Sequence, residues 1–89
     1  MESRLQTDKE VCYLCNKPMG NGDLHHVFNG AYKSKSEEDG FIVYVHRVCH
    51  DFIHTHAMTR TTIKARAQKV YEKEHTREEF IQRYGKNYL

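Results

Sequence analysis

The feature that most constrains this chain is a pair of matched two-residue spacings. Cys12 and Cys15 form a C-x-x-C pair, and His46 and Cys49 form an H-x-x-C pair after residues 16–45. Thiolates and imidazoles are the ligands of tetrahedral zinc, and the two-residue spacing lets both side chains of a pair reach one ion. The sequence therefore predicts a structural zinc site on Cys12, Cys15, His46 and Cys49.

Other interpretations of these residues stay open. Cys49 can be a buried free thiol, and Cys12 and Cys15 can be a redox pair, although the β-α-β context of a redox C-x-x-C is missing. His46 ends an apolar strand and can be a core residue, in which case His50 competes for the ion.

The size and cysteine content of the chain limit its class. It has 89 residues, with three cysteines and seven histidines. A domain this small buries only roughly 60 to 65% of the surface of its unfolded chain, so a metal ion would help to stabilise it. This length predicts one domain (1–89). The odd cysteine count, the lack of a leader with an apolar core and the lack of a membrane-length apolar run predict a reducing cytoplasm and no membrane contact.

Hydrophobic periodicity and turn residues predict an α+β fold with the order β, β, α followed by one or two C-terminal helices. Thr76 and Glu79 form a capping-box sequence, and Gly85 is expected to end the last helix. Residues 1–10 are predicted to be loosely held. The predicted segments are strands at 24–28 and 41–46, a polar loop at 29–40, a helix at 47–56 and C-terminal helices within about 61–85.

Four further histidines suggest a second metal site. His25 and His26 lie on the first predicted strand, and His50 and His54 lie four residues apart on one face of the predicted helix. Cys49 is about 100° away around that helix and would face the other metal. Taken singly, His56 and His75 are better explained as solvent-exposed or core residues.

The order of these motifs resembles that of the HNH or His-Me finger (ββα-metal) nucleases over residues 12–56. It also resembles small prophage proteins of the HNH nuclease type, and more distantly phage recombination-enhancement nucleases. The matching segments are His25-His26, Lys35-Ser36-Glu37 with Glu38, Gly40–Val43, and the tail from Ala67-Gln68 to Gly85–Leu89. The resemblance implies a zinc-stabilised treble-clef core and a metal-dependent DNA endonuclease or nickase.

Carried over to this chain, the resemblance makes His26 the general base and His25, His50 and His54 the ligands of one catalytic ion. An imidazole shell favours Mn²⁺, Ni²⁺, Zn²⁺ or Co²⁺ over Mg²⁺. The expected products are 5′-phosphate and 3′-hydroxyl ends. The resemblance also implies a phage or prophage protein in the bacterial cytoplasm, with DNA as substrate and a second copy or a recombination or packaging protein as partner.

Two departures from the family pattern affect this interpretation. The family often has Asp where His25 stands, and the Asn that orients the base falls near Phe41. Either a backbone carbonyl or Asn29 orients His26, or catalysis is weak or absent. Because adjacent strand residues point to opposite faces, His25 and His26 must lie where the strand bends or ends. The alternatives are a non-catalytic treble-clef zinc protein that binds nucleic acid or a protein partner, and zinc-mediated packing alone with an adventitious second ion.

The basic residues of this chain, whose net charge is +2, are the candidates for DNA contact. A stretch without acids, residues 60–69, is compatible with DNA binding but equally with a solvated helix face. Few base-reading groups are evident, so weak sequence specificity and strong salt dependence are expected. The candidates for DNA-backbone contact are Lys33, Lys35, Arg47, Arg60, Lys64 and Arg66.

Overall fold

The computed structural model describes residues 2–89 and has two strands and four α-helices. The predicted α+β class is confirmed. No helix in residues 2–89 is both long and apolar enough to span a bilayer. In chain order, the elements are β1 (Asp23–His26), a 3₁₀ turn (Gly30–Tyr32), α1 (Lys33–Glu38), β2 (Ile42–Val45), α2 (Arg47–Thr55), α3 (Ala57–Tyr71) and α4 (Arg77–Tyr84).

The two strands form an antiparallel sheet in which His25 lies opposite Val43 and His26 lies opposite Ile42. β2 consists of β-branched and aromatic residues, and all of them except Tyr44 are fully buried. Because successive residues of a strand point to opposite faces, this burial indicates that β2 is covered on both faces. The two predicted strands are thus present, each shorter than the sequence indicated.

Residues 3–6 are held against β2, so the expectation of a loosely held N-terminus was wrong for them, and Met1 lies outside the described residues. The side-chain amide of Gln6 accepts a hydrogen bond from the Tyr44 N–H at 2.7 Å and donates one to the Tyr44 carbonyl at 3.0 Å. The Arg4 N–H donates to the Gly40 carbonyl at 2.8 Å. The N-terminal segment therefore supplies partners for the outer edge of β2, where an unpaired backbone would otherwise cost free energy.

Residues 33–38, predicted as part of a polar loop, form α1. Lys and Glu are good helix formers, and only Ser36 of this helix is buried. The Ser36 hydroxyl accepts a hydrogen bond from the Phe28 N–H at 3.2 Å and donates one to the Phe41 carbonyl. A helix that buries one serine lacks an apolar stripe, which is why its composition indicated a loop.

α3 begins at Ala57, several residues earlier than predicted. The interruption between α2 and α3 is His56, whose backbone is extended (φ −125°, ψ 99°). Thr59, Thr61 and Thr62 lie within α3, and the Thr62 hydroxyl donates back to the Met58 carbonyl at 2.9 Å. The two C-terminal helices therefore cover 57–71 and 77–84.

The start and end of α4 agree with the sequence. The Thr76 hydroxyl accepts from the Glu79 N–H at 3.1 Å, and the Glu79 carboxylate accepts from the Thr76 N–H at 2.9 Å. Gly85 ends the helix with φ 80°, a left-handed conformation that glycine adopts without steric cost. The capping box thus fixes the direction in which α4 leaves the preceding turn.

An aromatic core joins the sheet to the C-terminal helices. Phe28 stacks on Tyr84 with ring centroids 4.1 Å apart and contacts Phe80 at 5.7 Å. Phe41 of the β2 segment packs against Tyr84 at 6.0 Å. All four rings are almost completely buried, and fully burying an aromatic or large aliphatic side chain stabilises a fold by about 1.5 to 3 kcal/mol. The C-terminal helices therefore belong to the same core as the strands.

Candidate metal centres

A tight turn presents the first two cysteines. Val11 and Pro18 form an isolated antiparallel bridge, and the Asn16 N–H donates to the Cys12 carbonyl at 2.9 Å. Asn16 has φ 63°, a conformation that asparagine tolerates better than most residues. This closed turn directs the side chains of Cys12 and Cys15 toward the end of β2.

The three cysteines and His46 converge as the sequence predicts. Their ligand atoms all lie within 4.8 Å of one another, so they can hold a metal ion such as zinc. The His46 Nδ1 lies 3.2 Å from Cys15 Sγ, and its Nε2 lies 3.3 Å from the Pro18 carbonyl. An imidazole that donates from Nε2 to a carbonyl presents a lone pair on Nδ1, which is the usual arrangement of a metal ligand.

The pKa values of two thiols in this group are shifted in opposite directions, and a bound cation would favour the ionised form of both. Burial would raise the pKa of Cys12, but hydrogen bonds from the backbone N–H groups of Cys15, His46 and Leu14 lower it to about 6. Burial raises the pKa of Cys49 to about 12, with a further contribution from the two neighbouring cysteines. One thiolate forms readily and opposes the ionisation of the next, and a divalent ion would remove that opposition.

A second group is formed by three histidines. Ligand nitrogens of His25, His50 and His54 all lie within 4.8 Å of one another, and the His50 and His54 Nε2 atoms are 3.1 Å apart. The His25 ring is edge-on to both, at centroid distances of 5.3 Å and 5.7 Å. His50 thus belongs to this histidine triad and His46 to the cysteines, so α2 contributes ligands to both groups.

Asp23 orients one ring of the triad. Its Oδ2 lies 3.2 Å from the Nδ1 of His50, and Arg47 approaches the same oxygen at 3.4 Å. The hydrogen bond from His50, together with Arg47, lowers the pKa of Asp23, so the carboxylate is charged at neutral pH. A carboxylate that accepts from Nδ1–H leaves Nε2 free to bind an ion, as in carboxylate–histidine–metal arrangements.

His25 is the buried member of the triad. Only 3% of its surface is exposed, and burial, followed by the charges of His50 and His54, lowers its pKa to about 4. The ring is therefore neutral at pH 7 and keeps a lone pair for a metal ion. This protonation state and the donor chemistry of the triad both suit a divalent transition metal.

His26 lies outside both ligand groups. It is the last residue of β1, and its Nε2 lies 2.6 Å from the Glu37 carboxylate of α1. Its side chain is 11% exposed. The partner of His26 is therefore an acidic side chain rather than Asn29 or a backbone carbonyl, the two partners expected from the sequence. Phe41, near the position of the family's Asn, is fully buried in the core.

The six predicted DNA-contact residues have different surroundings. Arg60 donates to the carbonyls of Ile53 and His54 at 3.0 Å and 2.6 Å, which stabilises the end of α2. Arg47 pairs with Asp23. The other contacts are Lys35 to the Arg83 carbonyl, Arg66 to the Tyr13 hydroxyl, and Lys64 to the face of Tyr88, while Lys33 is exposed on α1.

Comparisons of the chain with models of protein families, with curated proteins and with solved structures find no match. The two ligand groups and their neighbours are therefore the basis for inferring the function.

The sequence analysis did not identify the roles of Asp23 and Glu37. Asp23 had a usable signal, because a residue two positions before His25 on a strand shares its face. The only sequence signal for Glu37 was its place in the Lys35-Ser36-Glu37 motif.

Proposed function

We propose that this protein is a metal-dependent DNA endonuclease or nickase of the HNH, ββα-metal type, with a treble-clef core. The observation that carries the proposal is the convergence of His25, His50 and His54 beside a separate Cys₃His group. One group is suited to a structural ion, the other to a reactive one. The motif order that resembles HNH nucleases adds support, and extends the proposal to a phage or prophage protein of the bacterial cytoplasm.

The two groups favour different ions. Three thiols and an imidazole form a closed tetrahedral set, so we assign structural Zn²⁺ to Cys12, Cys15, His46 and Cys49. Three imidazoles leave coordination positions open for water and substrate, and they favour Mn²⁺, Ni²⁺, Zn²⁺ or Co²⁺ over Mg²⁺. Such an ion, when bound, neutralises charge on the scissile phosphate and on the leaving 3′-oxygen.

His26 supplies the base of the proposed reaction. Glu37 accepts the Nε2 proton of His26, so the lone pair of the neutral ring is on Nδ1. Nδ1 takes a proton from a water molecule, the water oxygen forms a bond to phosphorus, and the bond from phosphorus to the 3′-oxygen breaks. The products are a 5′-phosphate and a 3′-hydroxyl, the latter protonated from solvent.

Cleavage of supercoiled plasmid with Mn²⁺ or Ni²⁺ tests this function. We expect nicked or linear product from the wild type, and at least about a hundredfold less from His26→Ala, since general-base catalysis contributes about 10²–10⁴-fold. His56→Ala is the matched control, because His56 stacks on Phe52 and belongs to neither ligand group. Unchanged cleavage by His26→Ala would remove His26 as the base.

Metal counting tests the two sites separately. Elemental analysis should find two ions per chain in the wild type and one in His50→Ala, because His50 belongs only to the histidine triad. A wild-type chain with one ion at saturating Mn²⁺ or Ni²⁺ would contradict a separate catalytic site. Sedimentation with and without DNA would show whether the protein forms a homodimer. Sedimentation with a recombination or packaging protein of phage or host would show whether it binds that partner.

A non-catalytic treble-clef zinc protein that binds nucleic acid or a protein partner is the second candidate. The observation that favours it is the engagement of His26 by Glu37 together with the buried phenylalanine at the family's Asn position. This candidate predicts one ion per chain and no cleavage with any divalent metal. The plasmid assay and the metal count therefore separate the two functions.

A further inference from the structure

A basic surface lies where the C-terminal tail meets α3. We call it the tail surface and define it by Arg60, Lys64, Lys86 and Tyr88. The ammonium groups of Lys64 and Lys86 lie 5.4 Å and 5.5 Å from the centre of the Tyr88 ring. Two cations are thus brought together by one aromatic side chain, although they are 22 positions apart in the chain (64 and 86).

The tail surface is held in place by a buried side chain. Gln68 is fully buried, and its amide accepts from the Tyr88 N–H at 2.7 Å and donates to Asn87 Oδ1 at 2.8 Å. Tyr88 also packs against Phe28, with ring centroids 5.9 Å apart. Asn87 and Tyr88 are therefore anchored to the core, and the Tyr88 ring is a fixed platform for the two lysines.

Within the part of the chain that the structure describes, no acidic group neutralises the positive charge of this surface. In residues 2–89, none of Arg60, Lys64 and Lys86 forms an ion pair with an acidic group. Burial and the charges of Arg60 and Lys86 lower the pKa of Lys64, so the three cations are close enough to repel one another. Clustered like charges cost free energy unless an anion offsets them.

The tail surface adjoins the histidine triad. Arg60 donates to the main-chain carbonyl of His54 at 2.6 Å, and Lys64 lies one helical turn after Arg60 on α3. An anion held by the lysines would therefore approach the proposed catalytic ion. A phosphodiester backbone supplies regularly spaced anions, and its neighbouring phosphates can be held while one of them reaches the triad.

We propose that Lys64 and Lys86, mounted on Tyr88, bind the phosphate backbone of a DNA strand and direct it to the histidine triad. This inference rests on the proposed function for its substrate and adds Lys86 and Tyr88 to the binding residues. Arg60 contributes charge, while its guanidinium stays bonded to the end of α2. The surface contacts phosphates only, so it binds DNA of any sequence.

Binding of a fluorescently labelled DNA duplex, measured by anisotropy without added Mn²⁺ or Ni²⁺, tests the proposal. In about 0.1 M salt, each lost phosphate contact should weaken binding about tenfold. The Lys64→Ala/Lys86→Ala variant should also reduce the slope of log K against log salt by about 2. Lys69→Ala/Lys73→Ala is the matched control, because it removes the same charge from exposed lysines outside the tail surface.

The outcomes separate this inference from the proposed function. Equal affinity and equal salt slope for the Lys64/Lys86 variant and the wild type, or the same loss in the Lys69/Lys73 control, would overturn the tail surface even if the wild type cleaves plasmid. Selective loss in the Lys64/Lys86 variant supports it. If the wild type binds in this way but cleaves nothing, the tail surface stands and the endonuclease does not.

Discussion

The Nε2 of His26 lies 2.6 Å from a carboxylate oxygen of Glu37, a contact that joins the end of β1 to α1. His25, the preceding residue, points instead into the histidine triad. His26 is the last residue of β1, and its ring contacts α1, while the ring of His25 packs beside those of His50 and His54. The two histidines therefore have separate surroundings, one formed by a carboxylate and the other by two imidazoles.

Replacing Glu37 by Gln should lower plasmid cleavage about 10- to 100-fold, which is the range found for groups that orient metal-binding histidines. A neutral amide can present either its oxygen or its NH2 group to Nε2, so it no longer fixes the tautomer of the proposed base. The effect should appear in kcat with little change in KM, because Glu37 does not contact the substrate in the proposed reaction.

Two comparisons make this prediction specific to the carboxylate of Glu37. Glu37→Asp should recover part of the lost rate, since it keeps the charge. Glu38→Gln changes the same charge at the next residue, whose carboxylate pairs with Arg83 at 3.4 Å, and should cleave like the wild type. Equal rates for Glu37→Gln and the wild type would show that the contact only links β1 to α1.

Replacing Asp23 by Asn should weaken metal binding at the histidine triad about 10- to 100-fold and leave the Cys₃His group unaffected. The reason is the 3.2 Å contact between Asp23 and His50, which orients the ring that presents Nε2 to the ion.

Titration with Co²⁺ distinguishes the two sites in one experiment, because Co²⁺ bound by thiolates has an absorption band that Co²⁺ bound by imidazoles lacks. Asp51→Asn, on the exposed side of α2, is the control. A parallel loss at both sites would mean that Asp23 supports the fold rather than the ligand.

The ligands could be read from the sequence because their spacing is local. Cys12 and Cys15 share one turn, and His50 and His54 share one helical face whatever the rest of the chain does. The groups around them depend on distant contacts. Glu37 reaches His26 only because residues 33–38 form a helix, and the polar composition of that segment concealed the helix.

Other contacts had no local signal at all. Gln6 pairs with the backbone of Tyr44 across 38 positions, and Gln68 holds the N–H of Tyr88 across 20. Glutamine is polar and usually exposed, so neither residue could be recognised from periodicity as part of the buried structure. The class of fold and the two groups of candidate ligands were thus predictable, whereas buried contacts such as these were set by tertiary packing.

Removing zinc from the Cys₃His group should destabilise the whole fold. The group joins the turn at residues 11–18 to the end of β2 and the start of α2, and structural zinc contributes directly to folding free energy. A loss of about 3 kcal/mol would lower the unfolding midpoint by roughly 12 to 24 °C in a domain of this size.

Thermal unfolding followed by circular dichroism, with and without a chelator, measures this effect. Cys12→Ser should behave like the chelated protein, and added zinc should not restore it. His50→Ala is the control, because it removes a ligand of the triad alone and should keep most of the wild-type stability. A chelated protein that unfolds at the wild-type temperature would contradict a structural role for the ion.

Stability of the chelated protein should fall as the pH is lowered from about 6.5 to about 4, in part because of His25. Burial holds the pKa of His25 at about 4 in the fold, whereas an unfolded histidine titrates near 6.5. Between these values the unfolded chain binds a proton that the folded chain does not, so acid favours unfolding. The free energy of unfolding is therefore not reduced by His25 above pH 6.5, and roughly 3 kcal/mol of it is lost by pH 4. Urea unfolding at several pH values should therefore show a shallower pH dependence for His25→Asn than for the wild type, and an unchanged one for His56→Asn. Parallel curves for all three proteins would mean that His25 takes up its proton equally well in the fold.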